Sequence, residues 1–145
     1  MITPEIDNIL VKLKNFRGTF PRDMLPQTPG PSPHSIVMNY DGHAQEGTHW
    51  VCIYVDDEGS AQYFDSYGLP PLVKEFVDYL EKNSNKWLWN KITLQCEDCV
   101  TCGEYCCAYL ILRNAGYSNQ EFVNLFTNST KTNDYIIKEI FNAIK

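Results

Sequence analysis

The sequence predicts an α+β domain in which helices pack on a small, mostly antiparallel sheet, and three stretches carry that prediction. His49 is followed by a continuous apolar run, Trp50-Val51-Cys52-Ile53-Tyr54-Val55, as expected of a central strand buried on both faces. Asp56-Asp57-Glu58-Gly59 is a tight turn, so Ser60 to Asp65 returns as an antiparallel partner. Residues 103–115 are apolar nearly all round a helix (Ala108, Tyr109, Leu110, Ile111, Leu112), which marks a buried element, closed by Gly116.

The other elements follow in order. Thr3-Pro4-Glu5 offers an N-cap, a proline at the first helical position and an acid at the positive helix end. Ile6, Ile9, Leu10 and Leu13 then share one face, predicting a helix over 4–15. Residues 17–34 hold five prolines and two glycines, predicting a surface loop long enough to serve function. Ser35 to Asn39 reads as a short strand. Pro71 opens a helix whose face is Leu72, Val73, Phe76, Val77 and Leu80, and Lys91 to Gln95 reads as another strand. Ser118-x-x-Glu121 is a capping box, and Ile136, Ile137, Ile140, Phe141 and Ile144 mark a final amphipathic helix. The length of 145 residues predicts one domain, 1–145.

Composition narrows the function. At 43% hydrophobic and 13% aromatic the chain is unlike a disordered one. A net charge of −6 with scattered cations argues against a broad nucleic-acid surface. No apolar run reaches the ~18 residues of a membrane span, and Glu5 and Asp7 interrupt any signal-like stretch, so the expectation is a soluble, intracellular protein without membrane contact. Five of six cysteines fall between Cys96 and Cys107, too local to staple a fold. They read as free thiols.

Cys102 is the candidate nucleophile. A thiol at the first turn of a buried helix meets unpaired N–H groups and a dipole that favour its thiolate, and Gly103 leaves room for a substrate backbone. A free thiol of pKa ~8.5 is only ~3% ionised at pH 7; an imidazolium neighbour removes that deficit. His49 opens the central strand and is the candidate partner. With the turn at Asp56–Gly59 it lies opposite Ser66, and one bulged residue near Gly59 places it opposite Asp65, whose carboxylate would orient the imidazole. Gln95, seven residues before Cys102, offers a side-chain N–H that with the Cys102 backbone N–H would form an oxyanion hole.

The set Thr48-His49-Trp50, Phe64-Asp65-Ser66-Tyr67-Gly68, Gln95 and Cys102-Gly103-Glu104-Tyr105-Cys106-Cys107 resembles the adenovirus endopeptidase family, with relatives in virus-like transposons and, more distantly, the SUMO-deconjugating proteases. Gly18-Thr19-Phe20 is similar to an N-terminal element of the adenoviral enzymes. The resemblance implies a permuted papain-like cysteine protease fold, with His49 as base, Asp65 as its orienter, Gln95 as oxyanion donor and Cys102 as nucleophile. It also implies Trp50 and Gly103 beside the substrate, and no metal or cofactor. Adenoviral members usually carry Glu where Asp65 stands; the SUMO-deconjugating relatives carry Asp. The family implies polypeptide substrates cut after small residues such as Gly, in virion precursors, with removal of a ubiquitin-like modifier as the alternative. Host nucleus or virion would be the location. The family also implies an activating peptide, and DNA as activator, against which the charge of −6 stands.

Two readings compete. Cys96-x2-Cys99-x2-Cys102-x3-Cys106 has the spacing of an iron–sulfur or zinc module. A protease relative that has lost catalysis and only grips peptides is the other. His34 and His43 read as solvated loop residues, Cys96 and Cys99 as loop thiols able to form a disulfide, and Trp87 and Trp89 as core or groove wall.

Overall fold

The computed structural model describes residues 1–28, 30–42 and 49–145; Pro29, His43, Gly47 and Thr48 lie outside the described residues. The helices are α1 (Thr3–Leu10), α2 (Lys74–Asn83), α3 (Cys102–Asn114), α4 (Asn119–Val123) and α5 (Thr130–Ile144), and the strands are β1 (Phe16–Pro21), β2 (His34–Asn39), β3 (Trp50–Val55), β4 (Ser60–Phe64) and β5 (Lys86–Trp89). The strands form one sheet in the order β1-β2-β3-β4-β5. The inner pairs β2–β3 and β3–β4 are antiparallel; the edge strands β1 and β5 each join in parallel, so the sheet is mixed.

Alternation along β3 divides the hydrophobic interior in two. Trp50 and Cys52 face a core built with α1, α3, α4 and α5, around Ile6, Leu10, Tyr105, Tyr109, Phe122 and Ile137. Val51, Ile53 and Val55 face a second core with Tyr63, Phe76, Tyr79 and Leu80, roofed by α2. That two-sided burial is why β3 reads as unbroken apolar sequence.

Several expectations shift. The proline-rich stretch is not all loop: Phe16–Pro21 forms β1, and a single 3-10 turn follows over Arg22–Met24. An edge strand needs few ladder bonds, so it accommodates Gly18 at φ 126° and a register break between Phe16 and Thr19. The late strand lies at Lys86–Trp89 rather than over 91–95. Asn90 stops it: its Oδ1 accepts the Ile92 N–H at 3.3 Å and its Nδ2 donates to the Ile92 carbonyl at 2.9 Å. Trp87 and Trp89 pack partly on the α2 core. α1 starts one residue earlier, with Glu5 Oε2 accepting the Ile2 N–H at 2.8 Å, and ends at Leu10. α2 begins three residues beyond Pro71, leaving Leu72 exposed. α5 begins at Thr130, capped by Ser129, whose hydroxyl accepts the Thr132 N–H at 3.2 Å. His34 is not a solvated loop residue. It opens β2, is 2% exposed, and shares a 2.9 Å hydrogen bond with the Tyr79 hydroxyl. Burial, with Arg17 nearby, holds its pKa below the ordinary value.

Candidate active site

β3 starts just after His49 and β4 ends just before Asp65, so both side chains stand at one end of the sheet. Cys102 opens α3, which packs on the β3 face carrying Trp50 and Cys52. His49 is in phase with Val51, on the α2 side. The histidine and the cysteine therefore approach around the sheet's end from opposite cores.

His49 Nε2 is 2.9 Å from Asp65 Oδ1, and Asp65 is fully buried. The other ring nitrogen is not used by Asp65, and Cys102 lies near enough to raise the imidazole's pKa. Burial would lower the His49 pKa, but the bonds to Asp65 and Cys102 and the charge of both outweigh it, and the value rises to about 9. Burial would likewise raise the Cys102 thiol; the His49 bond, the Trp50 backbone N–H, the imidazolium charge and the Gly103 backbone N–H more than reverse this and lower it. The two shifts have one consequence. Both favour a thiolate–imidazolium pair over the neutral one.

The register differs from the sequence expectation. The β3–β4 ladder pairs Cys52 with Phe64, and continuing it sets Tyr67 opposite His49, rather than Ser66 or Asp65. Asp65 lies two residues back on the same face, a diagonal neighbour within reach of a long side chain. No bulge is needed. The β2–β3 ladder pairs Asn39 with Trp50, so Tyr40 stands opposite His49 on the other side. Both tyrosine rings pack on the imidazole, with centroids at 5.3 Å (Tyr40) and 4.9 Å (Tyr67) and planes within about 30°. Asp65 is fixed further: Oδ1 accepts the Tyr67 N–H at 2.8 Å and Oδ2 the Tyr40 hydroxyl at 3.3 Å. Tyr67 stands in the motif that carries the resemblance, but the sequence assigns neither tyrosine a role; continuing the β2–β3 ladder by one residue and the β3–β4 ladder by three sets them opposite His49.

Gln95 is 2% exposed and firmly held. Its Oε1 accepts the Ser66 hydroxyl at 2.5 Å, and its Nε2 donates to the Cys99 carbonyl at 2.7 Å and the Tyr67 hydroxyl at 3.3 Å. The N–H groups of Leu94 and Gln95 both donate to the Ser66 carbonyl, at 2.9 and 3.0 Å. Asp65-Ser66-Tyr67 thus anchors the imidazole and the Gln95 amide from three consecutive residues. The α3 ladder begins with Tyr105 N–H to Thr101 carbonyl, so the N–H groups of residues 102–104 precede it and face the helix start.

Trp50 and Gly103 are both buried, beneath Met1. The Trp50 indole N–H donates to the Met1 carbonyl at 3.0 Å, and a Cβ on Gly103 would stand 2.8 Å from Met1 Sδ. The room that Gly103 leaves is filled by this thioether.

The clustered cysteines do not converge. All six are free thiols. Cys102 bonds His49; Cys106, on the same helix one turn later, is buried against Cys52; Cys99 bonds Cys96 and Asp134. The Cys96 bond, burial and Asp134 push the Cys99 thiol up to about 12. No group of three His, Cys, Asp or Glu side chains suited to a metal occurs among the described residues, so the zinc or iron–sulfur spacing has no counterpart in space. None of the described helices is long and apolar enough to cross a membrane.

A buried amide secures the site from behind. Asn133 of α5 is fully buried; its Nδ2 donates to the Leu94 and Thr127 carbonyls at 3.1 and 3.0 Å, and its Oδ1 accepts the Thr127 N–H at 2.8 Å. Asn133→Ala strands those groups, and the expected cost is about 3 kcal/mol of stability, read as a lowered midpoint in urea unfolding.

No protein-family model matches the sequence. A putative thiol protease of Acanthamoeba polyphaga mimivirus is 29% identical over 105 residues, covering 66% of this chain and 33% of the relative. A crystal structure of the ASFV protease superposes with a TM-score of 0.56 at 25% identity, covering 77% of this chain and 44% of that one. The chain thus spans under half the length of these two proteases. The central domain of an uncharacterized Legionella pneumophila protein shares the fold alone, at 15% identity and a TM-score of 0.56, over 99% of this chain and 97% of that one. The chain is thus similar in sequence to one thiol protease and in fold to a second protease, and His49, Asp65, Gln95 and Cys102 follow one another along it in that order.

Proposed function

We propose that residues 1–145 form one catalytic domain that hydrolyses peptide bonds through a thioester intermediate. The observation that carries this reading is the 2.9 Å hydrogen bond of buried Asp65 to His49 at the end of the sheet, where Cys102 opens α3 close enough for the imidazole to lower its thiol pKa. In the proposed reaction the Cys102 thiolate attacks the substrate carbonyl carbon. The resulting oxyanion accepts hydrogen bonds from the Cys102 N–H and from Gln95 Nε2, which gives up its longer bond, the 3.3 Å one to Tyr67. The His49 imidazolium hands its proton to the departing amine as the carbon–nitrogen bond breaks. Neutral His49 then takes a proton from water, whose oxygen attacks the thioester and releases the acid and the thiolate.

The substrate proposed is a virion precursor polypeptide, cut after small residues such as Gly; the viral relatives support this choice. The test is incubation of the protein with candidate virion precursors and, in parallel, with SUMO and ubiquitin fusions, read by mass spectrometry. Cleavage of precursors supports the reading, cleavage of the fusions alone replaces it with modifier removal, and a protein that cuts neither and does not react with a peptide vinyl sulfone is a binding module. A host nuclear or virion location belongs to the same proposal.

The pH profile should be bell-shaped. The acid limb reports Cys102 ionising below the ordinary thiol value, and the alkaline limb reports loss of the imidazolium proton near 9. Measuring kcat/KM from pH 4 to 10 checks this; a rate still climbing at pH 10 would contradict the ion pair.

A further inference from the structure

Tyr67 touches both halves of the site. Its ring packs on the His49 imidazole at 4.9 Å, while its hydroxyl accepts Gln95 Nε2 at 3.3 Å and donates to the Glu97 carbonyl at 3.4 Å. Its backbone N–H meets Asp65 at 2.8 Å. We propose that Tyr67 is a positioning residue that locks the imidazole with its ring and the oxyanion-donating amide with its hydroxyl, so that base and donor are set by one side chain. The inference rests on the protease reading for its hydroxyl half only.

The ring acts through the charge on the imidazole. An aromatic face favours a cation packed on it, so Tyr67 stabilises the imidazolium and with it the thiolate. The groups facing His49 are Asp65 beyond β4, Cys102 at the start of α3, Tyr40 beyond β2 and Tyr67 itself. Tyr40 remains when Tyr67 is changed, so the ring's share is a partial one. The hydroxyl acts through geometry. The Gln95 amide has one hydrogen committed to the Cys99 carbonyl at 2.7 Å; the other is kept aimed by Tyr67 until a substrate oxygen replaces it.

Two variants separate these roles. Tyr67→Phe keeps the ring and loses the hydroxyl; Tyr67→Leu loses both. The first readout is the pH dependence of Cys102 alkylation by iodoacetamide, which needs no peptidase activity. The expected result is an acid limb moved up by roughly half a pH unit in Tyr67→Leu and unmoved in Tyr67→Phe. Equal limbs in Leu and wild type overturn the ring's role. The second readout is the affinity of a peptide aldehyde, whose adduct with Cys102 carries the oxyanion. Tyr67→Phe should weaken it about 10-fold, less than the ~100-fold or more for losing a donor outright, with KM for a peptide substrate unchanged. In a Gln95→Ala background the same change should do nothing further. Effects that multiply, or a Phe variant equal to wild type, overturn the hydroxyl's role. If wild type cleaves no peptide, the protease reading fails while the alkylation arm still decides on the ring.

Discussion

Cys102→Ala should abolish peptide hydrolysis, lowering kcat/KM by roughly 10⁴-fold or more, with the fold retained. The nucleophile supplies the bond that forms, and no neighbour can substitute: Cys106 is buried against Cys52 with its thiol held well above the ordinary value, chiefly by that burial. Removing one sulfur atom at the start of α3 costs about 1 kcal/mol, because the helix remains anchored through Tyr105, Tyr109 and Leu110. His49→Ala should lose nearly as much rate. It also leaves the buried Asp65 with only the Tyr67 N–H and Tyr40 hydroxyl, so that variant alone should melt earlier. Circular dichroism alongside a peptide assay checks both, and an active Cys102→Ala protein would refute the nucleophile.

Asp65→Asn is expected to lower kcat/KM by about 100-fold and to move the alkaline limb of the pH profile toward acid. The sign follows from the charges. The Asp65 bond is the first of the influences holding the His49 pKa up at about 9 against burial, so a neutral amide lets it fall toward the ordinary 6.5. A weaker imidazolium stabilises the thiolate less, and the Cys102 pKa rises. The window in which both groups are charged narrows from both sides. Loss of rate without any narrowing would mean that Asp65 serves only to hold the ring in place.

The elements that bring the candidate site together were legible because each leaves a local mark. The unbroken apolar run of β3, the apolar surround of α3, and His49 and Cys102 at the starts of both are properties of neighbouring residues. The Tyr67 and Tyr40 contacts were not legible in that way, since they depend on the register of two ladders. A shift of one residue in the turn at Asp56–Gly59 sufficed to misplace the opposite partner of His49, though Asp65 still met it diagonally. β1 was hidden by prolines and Gly18, whose cost an edge position reduces. The strand expected over 91–95 failed because Asn90 turns the chain first. The cysteine spacing, read in one dimension, suggested a metal module; wrapping half of it on α3 sends Cys102 and Cys106 to different neighbours.

The seat of Met1 bears on how the molecule can be handled. Its carbonyl is tied to the Trp50 indole and its thioether fills the hollow at Gly103, next door to the reactive sulfur. Oxidation of that thioether to the sulfoxide would put a polar oxygen into the hollow, so the protein is better handled under reducing conditions.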